Sequence, residues 1–138
     1  MRVYLDSCIV IYLTEGSADM RERIGRHLLR SAEASPTVTF TDLSRLECRV
    51  KPLAIGNATL LTDYESFFTT PGYVKCVIDT ATFDMATELR ARYGLKTPDA
   101  LHLAAAIASD CEELWTNDQR LVRAADSRIR IVSIDQLA

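Results

Sequence analysis

Four carboxylates, Asp6, Glu47, Asp99 and Asp118, are spread along the 138-residue chain at positions beside candidate strand ends and helix starts. Magnesium and manganese prefer oxygen donors in octahedral geometry, and they bind through a few carboxylates while keeping waters that a phosphate can displace. A metal so held generates a hydroxide nucleophile near neutral pH and stabilises charge developing on a phosphodiester. Acids packed together without a cation would repel, so a functional cluster implies an ion. Taken singly, each acid also has a plainer role. Asp6 could form a turn after a strand, Glu47 could be a solvated helix residue, Asp99 could complement a helix dipole, and Asp118, following Asn117, could merely start a short helix.

The elements that must position these acids follow from periodicity. Val3 to Leu5 is a β-rich run that ends at Asp6-Ser7, and Cys8 to Leu13 continues apolar as a helical turn. An amphipathic helix follows from Ser17, with Ala18, Ile24, Leu28 and Leu29 spaced among charges, closed by Ser35-Pro36. Thr37 to Phe40 reads as a second strand, and Thr41 or Asp42 can cap a helix that carries Glu47 and presents Leu43, Leu46 and Val50 on one face, up to Lys51-Pro52. Ala58 to Phe68 gives the next helix, and Tyr73 to Ile78 the third strand. Asp79 or Thr80 caps a helix that Gly94 ends in the left-handed conformation. Thr97 is then expected as the N-cap of an alanine-rich helix with Pro98 at its first position, which puts Asp99 in the first turn. Glu113 to Thr116, Asp118 to Ala125 and Ile129 to Ile134 read as strand, short helix and final strand. Alternation of strands and helices throughout predicts a parallel sheet covered on both faces, a doubly wound α/β domain whose ligand site lies at the strands' carboxyl ends.

Bulk composition bounds the rest. Apolar residues make up 48% and charged residues 25% of the sequence, the balance of one ordinary domain spanning residues 1–138. The aspartate at position 6 interrupts the N-terminal apolar segment before a signal core could form, and no other run could span a bilayer, so no membrane association is expected. Cys8, Cys48, Cys76 and Cys111 are widely separated without zinc-like spacing, which sets a reduced cytoplasmic protein as the default. A net charge of −3 argues against wholesale phosphate binding, although arginines cluster locally and a bound cation would offset the acids.

Four runs taken in order resemble a known family: Val3-Tyr4-Leu5-Asp6-Ser7, Ser44-Arg45-Leu46-Glu47, Thr97-Pro98-Asp99-Ala100-Leu101-His102-Leu103-Ala104-Ala105-Ala106, and Thr116-Asn117-Asp118-Gln119-Arg120-Leu121. This is similar to the signature of PIN-domain proteins and, more narrowly, of VapC-type toxins, and it covers essentially the whole chain. The resemblance implies a three-layer α/β/α fold with a central parallel sheet of four to five strands. It implies that Asp6, Glu47, Asp99 and Asp118 bind one or two Mg²⁺ or Mn²⁺ ions, Asp6 and Asp99 first, and cleave RNA through a metal-activated water. Ser7, Thr116 and Asn117 would stand behind these acids and orient them. The same resemblance implies the toxin of a type II toxin–antitoxin pair, an endoribonuclease held by a small VapB-type antitoxin on the early helices. A homodimer is implied too, and binding of promoter DNA only through the antitoxin complex.

Arg45, Arg49 and Lys51 lie close to Glu47 in sequence and are the candidates for holding RNA phosphates. His102, three residues after Asp99, reads as a packed residue of an apolar helix rather than a general base, and His27 as a surface residue. Cys8 and Cys48 read as core packing. Leu60, Leu61, Tyr64, Phe67 and Phe68 exceed what one helical face needs, so part of that surplus could face a partner. Two rival functions remain at this point. One is a PIN-like domain that binds RNA or protein without cutting. The other is a receiver-type phosphotransfer domain with Asp6 as nucleophile, against which stand the missing second aspartate after Asp6 and the lack of a lysine partner.

Overall fold

The computed structural model describes residues 1–30 and 36–134, so the helix stop expected at Ser35 lies outside the described residues. In chain order the elements are β1 (Arg2–Leu5), α1 (Ser7–Glu15), α2 (Ala18–Arg30), β2 (Thr37–Phe40), α3 (Asp42–Ile55), α4 (Ala58–Phe68), β3 (Val74–Lys75), α5 (Thr80–Tyr93), α6 (Thr97–Ala108), β4 (Glu113–Thr116), α7 (Leu121–Ala125) and β5 (Arg130–Ser133). The strands form one sheet in the order β3-β2-β1-β4-β5. Every pairing is parallel, with Val3 opposite Val38 on one side and Glu113 on the other.

Both sheet faces are buried, as parallel sheets require. Val3 and Leu5 point to one face with Val38, Phe40, Trp115 and Val132, where they meet Ile9 and Val10 of α1, Ile24 of α2, Cys48 of α3 and Tyr64 and Phe68 of α4. Tyr4 and Leu114 point to the other, against Ala86 and Leu89 of α5, the Leu103–Ala106 run of α6 and Ala124 of α7. The result is the three-layer α/β/α arrangement expected. No helix among the described residues is long and apolar enough to cross a membrane.

Several boundaries differ from the sequence reading, each for a local reason. The third strand is only Val74–Lys75, because its one partner β2 ends at Phe40, opposite Lys75; after one more bond from the Cys76 N–H to Phe40 O at 2.7 Å the chain departs, leaving Val77 exposed. Helix α3 runs on through Pro52 to Ile55 and ends at Gly56, whose φ of 68° is the left-handed conformation glycine adopts without strain. Lys96, not Thr97, is the N-cap of α6, which moves Pro98 to the second helical position, where its missing N–H is equally harmless. Asp118 stands in a turn before α7, its Oδ1 accepting the Arg120 N–H at 2.9 Å.

The largest departure is the rotation of α3. Leu46, Val50 and Leu53, together with Ile55, are about 60% exposed, whereas Ser44, Cys48 and Pro52 form the buried stripe. Small side chains on that stripe allow close approach to α1, which large ones would prevent. Most of the apolar surplus of α4 is absorbed by the core instead: Tyr64 and Phe68 are buried, and Leu60 and Phe67 pack against them, while Leu61 lines a shallow pocket with Pro52 and Leu53.

Candidate active site

The strand order reverses between β1 and β4, because the chain leaves β1 towards β2 and β3 and returns on the other side to β4 and β5. Open parallel sheets bind ligands in the crevice at the carboxyl ends of such strands. Asp6 follows β1 directly. Its N–H donates to Trp115 O at 3.0 Å, so the β1–β4 ladder extends to it, and its carbonyl starts α1 by accepting from the Ile9 N–H at 2.9 Å.

Asp6 is buried, 8% exposed as a residue, and its Oδ2 accepts from Thr116 Oγ1 at 2.8 Å. Thr116, the fully buried last residue of β4, also accepts the Asp118 N–H on the same Oγ1 at 3.2 Å. One hydroxyl therefore ties the first acid to the turn that bears the last. Asn117 faces elsewhere, donating to the Tyr12 hydroxyl at 3.2 Å.

Glu47 reaches the site from α3. Its Oε1 accepts from Ser7 Oγ at 2.8 Å and lies 2.5 Å from His102 Nε2. His102 is buried on α6, with Nε2 also 3.7 Å from Asp6 Oδ1 and Nδ1 2.7 Å from the Tyr4 hydroxyl, which in turn meets Thr41 Oγ1 at 3.1 Å. Burial opposes ionisation of Glu47, but the hydrogen bond and charge of His102 and the bond from Ser7 outweigh it and hold the carboxyl below its usual range.

Asp99, in the first turn of α6, is half-buried, and its carboxyl is raised by that burial and then by the charges of Asp6 and Asp118. Asp118 is shifted the other way by Arg120, whose Nε and Nη2 lie 2.9 and 2.7 Å from its two oxygens. The fold thus brings Asp6, Glu47, Asp99, Asp118, Ser7 and Thr116 to one end of the sheet. Among the described residues, no three His, Cys, Asp or Glu side chains converge tightly enough to form a ready ion cage. Glu47 and Asp118 are turned to His102 and Arg120.

The basic trio on α3 is paired with acids. Arg45 Nη1 lies 2.8 Å from Asp42, Arg49 Nη1 3.3 Å from Glu65, and Lys51 Nζ 2.9 Å from Glu15. At 100° per residue, Arg45 and Arg49 flank the buried Ser44–Cys48 stripe on the side away from Glu47, while Lys51 shares the Glu47 side. Burial first, with nearby carboxylate charge, pushes the thiols of Cys8 and Cys48 up to about 12, so both stay protonated at neutral pH. That fits packing rather than chemistry.

Sequence reasoning left His102 in the core, which is correct for its burial, but its contact with Glu47 went unread. The three-residue spacing from Asp99 was the available signal, since i and i+3 share a helix edge. His27 is half-buried, not a surface residue; its ring meets Trp115 edge-on at 5.1 Å. Tyr4 and Arg120 carried no signal beyond their places in a strand and a turn.

No curated protein sequence matches the chain. Among solved structures, it resembles VapBC2 from Rickettsia felis bound to a DNA fragment from their promoter, with a TM-score of 0.75 and 16% identity over 96% of this chain and 98% of that one. DNA-bound VapBC from Salmonella typhimurium is similar at a TM-score of 0.70 and 16% identity, covering 97% of this chain and 98% of that one. FitAcB from Neisseria gonorrhoeae also gives a TM-score of 0.70, at 14% identity over 96% of this chain and 97% of that one. At such identities the likeness concerns the fold. The sequence match to the PIN domain runs over residues 3–127, from β1 through the last acid and α7, and on that span the chain belongs to the PIN-domain family.

Proposed function

We propose that this chain is a metal-dependent endoribonuclease that hydrolyses RNA phosphodiester bonds at Asp6, Glu47, Asp99 and Asp118, and that it is the toxin of a type II toxin–antitoxin pair. The observation that carries the nuclease reading is the gathering of four carboxylates from separate parts of the fold at the sheet's switch point: Asp6 after β1, Glu47 on α3, Asp99 on α6 and Asp118 before α7, with Asp99 raised by burial and then by the charges of Asp6 and Asp118. Like charges gathered this way cost stability unless a cation joins them.

The donors there are carboxylate oxygens backed by the hydroxyls of Ser7 and Thr116, the set suited to Mg²⁺ or Mn²⁺. Asp6 and Asp99 would hold the ion, and Glu47 and Asp118 would join them on release from His102 and Arg120. When bound, it supplies a water of lowered pKa and charge stabilisation on the phosphodiester. The protein contributes orientation. Thr116 fixes Asp6 by donating to Oδ2, Ser7 and His102 hold Glu47 at the edge of the pocket, and Arg120 neutralises Asp118.

The toxin reading draws on the fold shared with VapBC complexes. It includes a small VapB-type antitoxin, a homodimer, contact with promoter DNA through the antitoxin complex, and a cytoplasmic setting. The exposed Leu46, Val50 and Leu53 stripe gives the antitoxin an apolar surface on the helix that carries Glu47, where docking would also block the pocket. A second reading, a PIN-like RNA- or protein-binding domain without nuclease activity, draws on the engagement of Glu47 and Asp118 by His102 and Arg120.

The separating experiment incubates purified chain, free of antitoxin, with total RNA and Mg²⁺ or Mn²⁺, beside Asp6→Asn and Asp99→Asn. Cleavage that needs both acids and stops with EDTA is expected. Cleavage that survives both substitutions and chelation overturns the mechanism, and none by the wild type favours the binding domain.

A further inference from the structure

Beside the acids lies a cleft of about 550 Å³, walled by the turn between α5 and α6 and by the turn that leads into α7. Asp99 and Asp118 line it together with Lys96, Arg120, Arg123 and Tyr93. Its volume lies within the range of about 300–1,000 Å³ typical of ligand sites. Among the described residues, Lys96 and Arg123 have no ion-pair partner, in contrast to the fully paired trio on α3. Arg123 is held over the Tyr93 ring with its guanidinium carbon 5.8 Å from the centroid. That contact restricts a long side chain before any ligand arrives, and it leaves the guanidinium donors available. Lys96 stands near enough to Asp118 for its charge to lower that carboxyl.

Two unpaired cations next to two acids suit a chain whose phosphates are spaced along it. A phosphate can sit on Lys96 and Arg123 while the neighbouring diester reaches Asp99 and Asp118. The cleft has apolar wall as well, from Leu95 and the exposed Val122, against which a base can rest. A groove that combines cations with an apolar or aromatic wall is the arrangement used for single strands. We propose that this cleft binds the sugar–phosphate backbone of single-stranded RNA on one side of the cut, with Lys96 and Arg123 as the phosphate contacts and Tyr93 as the residue that positions Arg123. This rests on the nuclease reading for the location of the cut, not for the binding itself.

The test measures binding of a fluorescent single-stranded RNA oligonucleotide by anisotropy in EDTA, across a salt series, for wild type, the double variant Lys96→Gln/Arg123→Gln, and Arg26→Gln as a charge control on α2. Lys96 and Arg123 are exposed, so their replacement spares the core. The double variant is expected to bind about tenfold more weakly. Its dependence of log K on log salt should be shallower by about 1.4, the share of two single-strand phosphate contacts. Arg26→Gln should stay near wild type. An unchanged affinity and slope in the double variant, an equal loss in Arg26→Gln, or no binding by wild type overturns the proposal. Cleavage assays on the same proteins keep the two readings apart. Binding that depends on Lys96 and Arg123 without any cleavage leaves the cleft standing and removes the nuclease. Cleavage that needs Asp6 but is indifferent in KM to the double variant does the reverse.

Discussion

Glu47 Oε1 and His102 Nε2 lie 2.5 Å apart although 55 residues separate them in sequence. The ring that makes this contact is fixed from behind, by the Tyr4 hydroxyl at Nδ1 and by Thr41 beyond it. An acid of the site is thereby tied to the central strand through a buried chain of polar groups, each member of which has a partner.

Tyr4→Phe cuts that chain while preserving the ring's packing. It leaves the His102 Nδ1 without its partner in the core, a loss of about 1–3 kcal/mol. Urea unfolding should show the lower stability with an unchanged m-value, and the far-UV spectrum should stay that of the wild type. A neutral substitution would mean that the network holds nothing in place.

Thr116→Val is close to isosteric but removes both the donor to Asp6 and the acceptor for the Asp118 N–H. Loss of a group that orients a metal ligand weakens affinity by about 10–100-fold. Titration calorimetry with Mn²⁺ should register that weakening in a variant that remains folded.

Asp99 sets a pH dependence whose sign follows from its surroundings. Burial and then the charges of Asp6 and Asp118 raise its carboxyl in the folded chain, so between the unfolded and folded pKa values the native state carries more protons. Stability from this group falls as pH rises through that window and stays lower at neutral pH. Glu47 and Asp118 are lowered and act oppositely: their contribution is present above the unfolded pKa and is lost as pH falls through the folded one. Asp99→Asn should therefore melt a few degrees above wild type at neutral pH, with the gap closing towards pH of about 4. Calorimetry over that range checks it.

Divalent ions should raise the melting temperature of the wild type, since whatever binds only the native state stabilises it by about 2.7 kcal/mol at a hundredfold excess over Kd. EDTA should reverse the rise. Asp6→Asn should show little of it, and an equal rise in that variant would place the ion elsewhere.

Leu46→Ser combined with Val50→Ser tests the outward stripe of α3. Both side chains are about 60% exposed, so stability should change by no more than about 0.5 kcal/mol. Under the toxin reading, co-purification with a small antitoxin should fall sharply. Retained capture would move the antitoxin to another face.

Where local chemistry decides a boundary, the sequence showed it. Thr37–Phe40, Ala58–Phe68 and Glu113–Thr116 begin and end at the residues their patterns predict, and Gly94 caps α5 in the left-handed conformation at φ 69°. What was hidden depends on neighbours distant in sequence. The apolar residues of α3 suggested an inward face, but hydrophobic periodicity does not register that Ser44, Cys48 and Pro52 fit a tighter gap. β3 looked longer because a β-rich run carries no sign of where its neighbour β2 stops. The order of the acids was legible; that Glu47 would lean on His102 and Asp118 on Arg120 was not, because rotamers answer to the whole pocket.

β1, the first strand of the chain, occupies the middle of the sheet, and one of its sides pairs with residues 113–115. During synthesis at about 5–20 residues per second, Asp6 waits on the order of ten seconds for the strand that completes its ladder and for Thr116. A growing chain thus has two of its four acids long before it has a pocket. Under the nuclease reading, cutting cannot begin before Thr116 and Asp118 have left the ribosome and closed the pocket around Asp6.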